Sequence, residues 1–484
     1  MKQCANCNVC SGFGKVHEEC GIFGIAVAEQ DGFNPAYETY TALYALQHRG
    51  QEACGIAVND KGVIDLQKDV GLVPDVFDEN DLMALSGQSA IGHVRYSTLG
   101  KNTRENAQPI VISHIKGNLA IAHNGSLTNA YELREKFEMA GGIFHTSNDS
   151  EVIAYAIVHE RLKADSIEEA IKNAMRKLRG AYSLVIMSPR KLIAVRDPSG
   201  FRPLCIGRLG SSYVFASESC AFDAIGATFL RDVEPGEIVV CLDGTLTSIK
   251  SGISAKEGLC VFEFVYFARP DSVIDSLSVN SARLEMGRCL ARTYPVDADL
   301  VFGVPDSGLV AALGYAEESG IPYGTGLIKN RYVGRTFIQP SQTQRERSVS
   351  IKLNALASAV KGKRVVMVDD SIVRGTTSAN IVNMLREAGA REVHMLLSSP
   401  PFKNPCYFGT DVPDRDLLIA HRLSVPEIGR KIGVDSIGFL PVEAFHKIEK
   451  QCARKFCVGC FTGRYPEKEP DVSKKNIFER RIGE

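Results

Sequence analysis

The sequence lacks any excess of charge: 56 Lys and Arg against 57 Asp and Glu leave a formal net charge of -1. Such a balance argues against a chain built chiefly for nucleic acid or an anionic membrane. Apolar runs long enough to cross a bilayer are missing. Residues 1–19 lack the apolar core of a secretory signal. Internal repeats and low-complexity arrays are absent too. These absences lead us to expect a cytoplasmic protein. What is present is ordinary for a globular chain, with 44% hydrophobic and 23% charged residues. At 484 residues there is length for two or three cores. Fourteen cysteines spread along that length suit reduced thiols, a metal site or catalysis better than a disulfide framework.

Two halves read differently. From Cys20 to about Gly244, short apolar segments such as "GIFGIAV", "AIGHVRYST", "LAIAHNG" and "EIVVCLDGT" end in Gly, Asn, Asp or Ser and read as strands. Two helical segments, "YETYTALYALQHRG" and "DSEVIAYAIVHERLK", interrupt them. That grouping predicts a layered α+β domain. From about Leu259, strand, glycine-bearing turn and helix alternate, which predicts an α/β unit with a mostly parallel sheet and flanking helices. The boundary falls in the Ser-, Gly- and Lys-rich "TSIKSGISAKEGLC". The expected division is a leader at 1–19, domains at 20–256 and 257–466, and a charged tail at 467–484.

The second half carries phosphate chemistry. In "VVMVDDSIVRGTTS", Asp369 and Asp370 end an apolar strand, the edge where open α/β sheets bind ligands. Adjacent carboxylates there can accept from ribose hydroxyls or hold a divalent cation with its waters. Ser371, Arg374, Gly375, Thr376 and Thr377 then lead into a helix whose N-terminus suits a monophosphate. An ordinary strand with an acidic turn would leave the combination of DD and GTT unexplained. The segment resembles the binding loop of type I phosphoribosyltransferases. In such enzymes a second strand-end turn, here "GVPDSG" with Asp306, Ser307 and Gly308, carries pyrophosphate. Between the two motifs lies a basic stretch with Lys329, Arg331, Arg335, Arg345 and Arg347. A solvated loop is the ordinary reading of such a run; its position favours a lid over pyrophosphate.

The first half poses a question at "HEECGIFGI": a cysteine placed directly before a glycine and an apolar strand, yet behind nineteen other residues. A buried structural cysteine needs no such placing. Several pieces downstream, "LQHRGQEACGIAV", "GHVRYSTLG", "IAHNGSLTN", "SNDSEVI" and "RDPSGFRPL", together with the second half, resemble the amidophosphoribosyltransferase family in motif order. The resemblance covers nearly all of Cys20 to Pro466. It implies an Ntn-hydrolase glutaminase of αββα layers followed by a type I phosphoribosyltransferase. Glutamine-derived ammonia would displace pyrophosphate from phosphoribosyl pyrophosphate, giving 5-phosphoribosylamine and opening purine synthesis. Cys20 would be the nucleophile and, once residues 1–19 are cleaved away, would own a free amine of pKa about 7.7–8.0 to serve as its base.

Other roles carry over by resemblance. Arg95 would hold the glutamine carboxylate, a task suited to a guanidinium, and Asp149 the α-ammonium. Asn124 and Gly125 would form the oxyanion hole, although Asn-Gly alone reads as a hairpin turn. "HRGQE" reads as scaffold, with Gly50 lining the pocket. Ser307, Asp369 and Asp370 would hold Mg²⁺. Cys260, Cys406, Cys457 and Cys460 match the ligands of a [4Fe–4S] cluster in one branch of the family. Zinc in the same thiolates is the rival, and Cys452 is near enough to confuse the set. Cys4, Cys7 and Cys10 could hold a metal during maturation or belong to an unconstrained leader. The resemblance further implies a homotetramer, feedback by purine nucleotides and an ammonia channel. The alternatives are another Ntn amidotransferase, or a catalytically inactive paralogue that senses phosphoribosyl pyrophosphate or nucleotides.

Overall fold

A computed structural model describes residues 20–96, 102–330, 353–410, 412, 415–452 and 454–470. The leader with Cys4, Cys7 and Cys10, and the basic segment with Arg331, Arg335, Arg345 and Arg347, lie outside the described residues.

The apolar alternation of the first half builds two antiparallel sheets. Across the seven-stranded sheet run Thr228–Asp232, Cys205–Leu209, Ser212–Ala216, Gly21–Ala26, Ser89–Arg95, Ala53–Asp60 and Val63–Val70. The six-stranded sheet runs Thr245–Lys250, Glu237–Leu242, Lys191–Arg196, Gly180–Met187, Gly117–Leu127 and Ile110–His114. Small and branched side chains from both meet in between, Ile22, Ala57 and Ile91 against Ala120, Val185 and Leu192. The helices Pro35–Ala45 and Cys220–Ile225 cover the outer face of one sheet, Asp149–Arg161 and Ile167–Met175 that of the other. These are the expected αββα layers.

Helix content exceeds the sequence expectation. Ala130–Met139, Ile167–Met175 and Cys220–Ile225 add to the two foreseen helices. Each is short, so two or three turns carry its whole period. The first foreseen helix, capped by Asn34 (Oδ1 accepts from Ala36 N at 2.9 Å) with Pro35 at its start, stops at Ala45 rather than running to Gly50. Beyond it the chain turns so that Arg49 points inward and is buried.

The second half has four parallel strands in the order Leu300–Gly303, Arg364–Asp369, Glu392–Leu397 and Ser436–Phe439. Their near-continuous apolar runs are what a sheet covered on both faces requires. Val279–Thr293 and Leu309–Ser319 pack on one face, Thr376–Glu387 and Val425–Ile432 on the other. Strands ending at Gly303 and Asp369 bring both phosphate motifs to one edge of the sheet. A short parallel pairing of Leu259–Cys260 with Phe456–Cys457 ties the start of this half to its last segment.

Candidate active sites

Cys20 directly precedes the strand Gly21–Ala26, which pairs Gly21 with Val94 and so brings Cys20 to the level of Arg95. Its Sγ lies 3.5 Å from the carbonyl of Tyr96, and its own carbonyl accepts from Arg49 Nε at 3.0 Å. Arg95 is 2% exposed. Gly50 packs on its backbone: a Cβ at Gly50 would lie 2.5 Å from Arg95 N, so a side chain there would push the turn off the pocket.

Asn124 and Gly125 sit inside the strand Gly117–Leu127, paired with Ser183 and Tyr182. The hairpin-turn alternative is therefore excluded. Among the described residues, the buried Asn124 Nδ2 amide has no hydrogen-bond partner. A donor left so costs roughly 1–3 kcal/mol, which an incoming oxygen would offset. Asp149 opens the helix Asp149–Arg161 and accepts from Leu127 N at 2.8 Å, with His123 Nδ1 at 3.7 Å. The carboxylate is thus fixed to the strand that carries Asn124 and Gly125. Cys20 and Arg95 come from one sheet, Asn124, Gly125 and Asp149 from the six-stranded side. The bond from His93 Nε2 to the His123 carbonyl, 3.1 Å, ties the two sheets together.

Behind this pocket lies an ionic array that sequence reasoning missed. Arg49 pairs with Glu218 and, at 2.9 Å through two nitrogens, with Glu263. Glu263 also faces Arg202 at 3.5 Å, and all four side chains are buried. Burial pushes the Glu218 carboxyl upward, but His48 and Arg49 outweigh it and hold it well below the usual range. The partners lie 169 and 214 residues from Arg49, so no local pattern joins them. One signal existed: a lone carboxylate in "VFEFVYF" must be buried and paired.

At the edge of the parallel sheet, Asp369 and Asp370 are 1% and 0% exposed. Asp370 N donates to Asp369 Oδ1 at 3.0 Å, and Ser307 Oγ to Asp370 Oδ1 at 2.6 Å, so the two turns join through a hydroxyl–carboxylate bond. Ser371 Oγ donates to the other Asp370 oxygen, and Lys329 pairs with Asp306. Gly308 packs against Val368; a Cβ would meet its carbonyl at 2.2 Å. Gly375, at φ 84°, caps the helix Thr376–Glu387, whose first-turn N–H groups accompany Thr376 and Thr377. Arg374 is half-buried beside them. Of the foreseen phosphate residues, those from Asp306 to Gly308, Lys329 and those from Asp369 to Thr377 share this edge, while Arg331, Arg335, Arg345 and Arg347 lie outside the described residues. Arg283, not foreseen, donates to the carbonyls of Phe264, Tyr266 and Ala268. Burial lowers its pKa to about 10, opposed by the charges of Asp370 and Glu218.

Cys260, Cys406, Cys457 and Cys460 line one cavity, and none is in a disulfide. Burial raises the Cys460 thiol, and the charges of Cys406, Cys457 and Cys260 raise it further. Among the described residues, no three His, Cys, Asp or Glu side chains converge on a single ion position. Cys452 stands apart, its Sγ directed at the Glu449 carbonyl at 3.7 Å.

A family model described as a glutamine amidotransferase domain matches residues 93–224, and one described as a phosphoribosyl transferase domain matches residues 287–399. The amidophosphoribosyltransferase of Methanocaldococcus jannaschii is 52% identical over 92% of this chain and 97% of its own length. That of Bacillus subtilis is 49% identical over 93% and 94%. The solved glutamine phosphoribosylpyrophosphate amidotransferase of B. subtilis, complexed with ADP and GMP, superposes with a TM-score of 0.86 at 48% identity, covering 93% of this chain and 98% of that one. Sequence and fold agree: the chain belongs to the amidophosphoribosyltransferase family.

Proposed function

We propose that the chain makes 5-phosphoribosylamine from phosphoribosyl pyrophosphate with ammonia drawn from glutamine, the first step of purine synthesis. The observation that supports this reading is the presence in one chain of two residue sets, Cys20 with Arg95, Asn124, Gly125 and Asp149 around the paired sheets, and Ser307 with Asp369, Asp370 and the Gly375 helix start at the parallel-sheet edge. Neither another Ntn amidotransferase nor a sensor protein accounts for both.

In the proposed mechanism Arg95 and Asp149 hold the two ends of glutamine. The Cys20 thiol attacks its amide, the terminal amine takes the thiol proton, and Asn124 Nδ2 with Gly125 N–H receives the developing oxyanion. Ammonia departs, and water releases glutamate from the thioester. At the second site Asp369 and Asp370 hold the ribose hydroxyls, Ser371 to Thr377 the 5-phosphate, and Asp306 to Gly308 with Lys329 the pyrophosphate. Arg331 would join them from the lid. Ammonia then adds at C1 with inversion. Ser307, Asp369 and Asp370 fit Mg²⁺, which favours one or two carboxylates plus substrate oxygens and would neutralise the departing pyrophosphate.

In this reading Cys260, Cys406, Cys457 and Cys460, four free thiols lining one cavity, would hold a [4Fe–4S] cluster. A cluster takes each thiolate on a separate iron. Its role in this reading is structural, joining residues 257–260 to the segment around 457–460. The same reading includes a removable leader at 1–19, domains at 20–256 and 257–466, a tail from 467, an ammonia channel, purine-nucleotide inhibition, a homotetramer and a cytoplasmic setting. Among the described residues, no helix is long and apolar enough to cross a membrane.

The test is to supply the purified protein with phosphoribosyl pyrophosphate, Mg²⁺ and either glutamine or ammonia, and to follow pyrophosphate and glutamate. Both nitrogen sources should support turnover, chelation of Mg²⁺ should abolish synthesis, and the denatured mass should begin at Cys20. A chain that retains residues 1–19 and hydrolyses no glutamine would revive the sensor reading.

A further inference from the structure

Gly125 is held from two sides. On one, a Cβ built on it would meet the Ala181 carbonyl at 2.2 Å, so the neighbouring strand Gly180–Met187 leaves it no room. On the other stands Gly409, from the C-terminal half of the chain. A Cβ built on Gly409, whose φ is +110°, would lie 3.0 and 3.1 Å from the carbonyl carbon and Cα of Gly125. Two glycine backbones from opposite halves therefore touch where the oxyanion would form.

The segment carrying Gly409 is fastened. Arg202 donates to the Phe408 carbonyl through Nε (3.1 Å) and Nη2 (2.6 Å), and to Thr410 Oγ1 at 3.2 Å. The Phe408 ring stacks on Phe201 at 4.2 Å between centroids. Phe408 N lies 3.4 Å from Cys406 Sγ, and Cys260 N donates to the Phe201 carbonyl at 3.1 Å, so two of the four cavity cysteines flank the fastening. The Arg202 carbonyl accepts from Ser183 Oγ at 3.1 Å, and Ser183 is the cross-strand partner of Asn124. Both oxyanion residues thus rest on one buttress.

We infer that Gly409, within the segment Cys406–Thr410, positions the oxyanion hole: the phosphoribosyltransferase half supplies the outer wall of the glutaminase site. This rests on the functional reading above. It makes Gly409 a positioning residue, one that touches neither substrate yet sets the aim of the Gly125 N–H. Displacing the wall should weaken transition-state stabilisation while leaving the Arg95 and Asp149 contacts that bind glutamine.

The test is Gly409→Ala, with Thr410→Val as a milder companion that removes a single hydroxyl acceptor. For Gly409→Ala we expect kcat for glutamine hydrolysis to fall by about tenfold or more, since losing a whole oxyanion donor typically costs ~10²–10³. KM for glutamine, ammonia-dependent synthesis, alkylation of Cys20 by iodoacetamide and iron content per chain should stay near parental values. Alkylation needs the thiolate but no oxyanion hole, so it separates an intact nucleophile from a misaimed wall. Thr410→Val should show the same pattern at smaller amplitude. Unchanged glutamine kcat in Gly409→Ala, or glutamine- and ammonia-dependent rates falling together with loss of iron, would overturn the inference. Failure of the functional reading would show instead in the parent protein, which would use neither nitrogen source.

Discussion

At Asn124 a buried amide donor stands without a partner among the described residues, in a stretch of strand paired on one side with Gly180–Met187. Its removal tests the oxyanion assignment. Asn124→Ala should lower glutamine-dependent turnover by about 10²–10³ and leave ammonia-dependent synthesis in place, measured side by side on one preparation. Arg95→Lys should mainly raise KM for glutamine, because a point charge replaces a fork that binds a carboxylate through two bonds. Equal losses of kcat and kcat/KM would assign Arg95 to the transition state instead. At this scale legibility depended on local chemistry. Asp369 and Asp370 could be read because a carboxylate pair ending an apolar strand is unusual. The dipeptide Asn124–Gly125 alone pointed to a turn, and only the flanking motifs placed it otherwise. Arg202 stands in the quoted "RDPSGFRPL" but its role could not be read there, and Gly409 offered no local signal, since what defines both is a contact between segments about two hundred residues apart.

Among the elements, the apolar central strands were read because period-two patterning and Gly or Asp ends survive in short windows, whereas more polar edge strands such as Val63–Val70, Thr228–Asp232 and Thr245–Lys250 were not. The short helices on the outer faces were missed because two turns carry too few apolar positions to set a period. The pairing of the sheets through His93 and His123 was invisible as well. It has a measurable consequence, because burial lowers His93 to about 3. The unfolded chain, with a histidine pKa of about 6.5, binds a proton that the folded state refuses between those values. Stability contributed by neutral His93 is therefore present above about pH 6.5 and lost as pH falls below it. Between pH 7 and 5.5 that loss should be about 1 kcal/mol. His93→Gln, which can keep a donor toward the His123 carbonyl without titrating, should show a correspondingly smaller drop in Tm over that interval. An identical acid-side drop in both proteins would assign the loss to other groups.

Over the whole molecule, the two halves are joined by buried charge as well as by apolar packing. Glu263, from the second half of the chain, lies between Arg49 and Arg202 of the first half, and Arg49 in turn holds the Cys20 carbonyl. Glu263→Gln leaves buried guanidinium charge uncompensated, a change that costs roughly 3–5 kcal/mol. Thermal unfolding should shift down by several degrees. Glutamine-dependent turnover should fall further than ammonia-dependent turnover, because the clamp on Cys20 loosens; equal falls would confine Glu263 to stability. The account as a whole stands on Cys20 serving one site and Asp369–Asp370 the other. The most direct test compares pyrophosphate release from phosphoribosyl pyrophosphate in the parent protein and in Cys20→Ala, each with glutamine and with ammonia. The account predicts that the parent uses both and that the variant uses ammonia alone, at near-parental rate. Glutamine-driven release surviving in Cys20→Ala would contradict it.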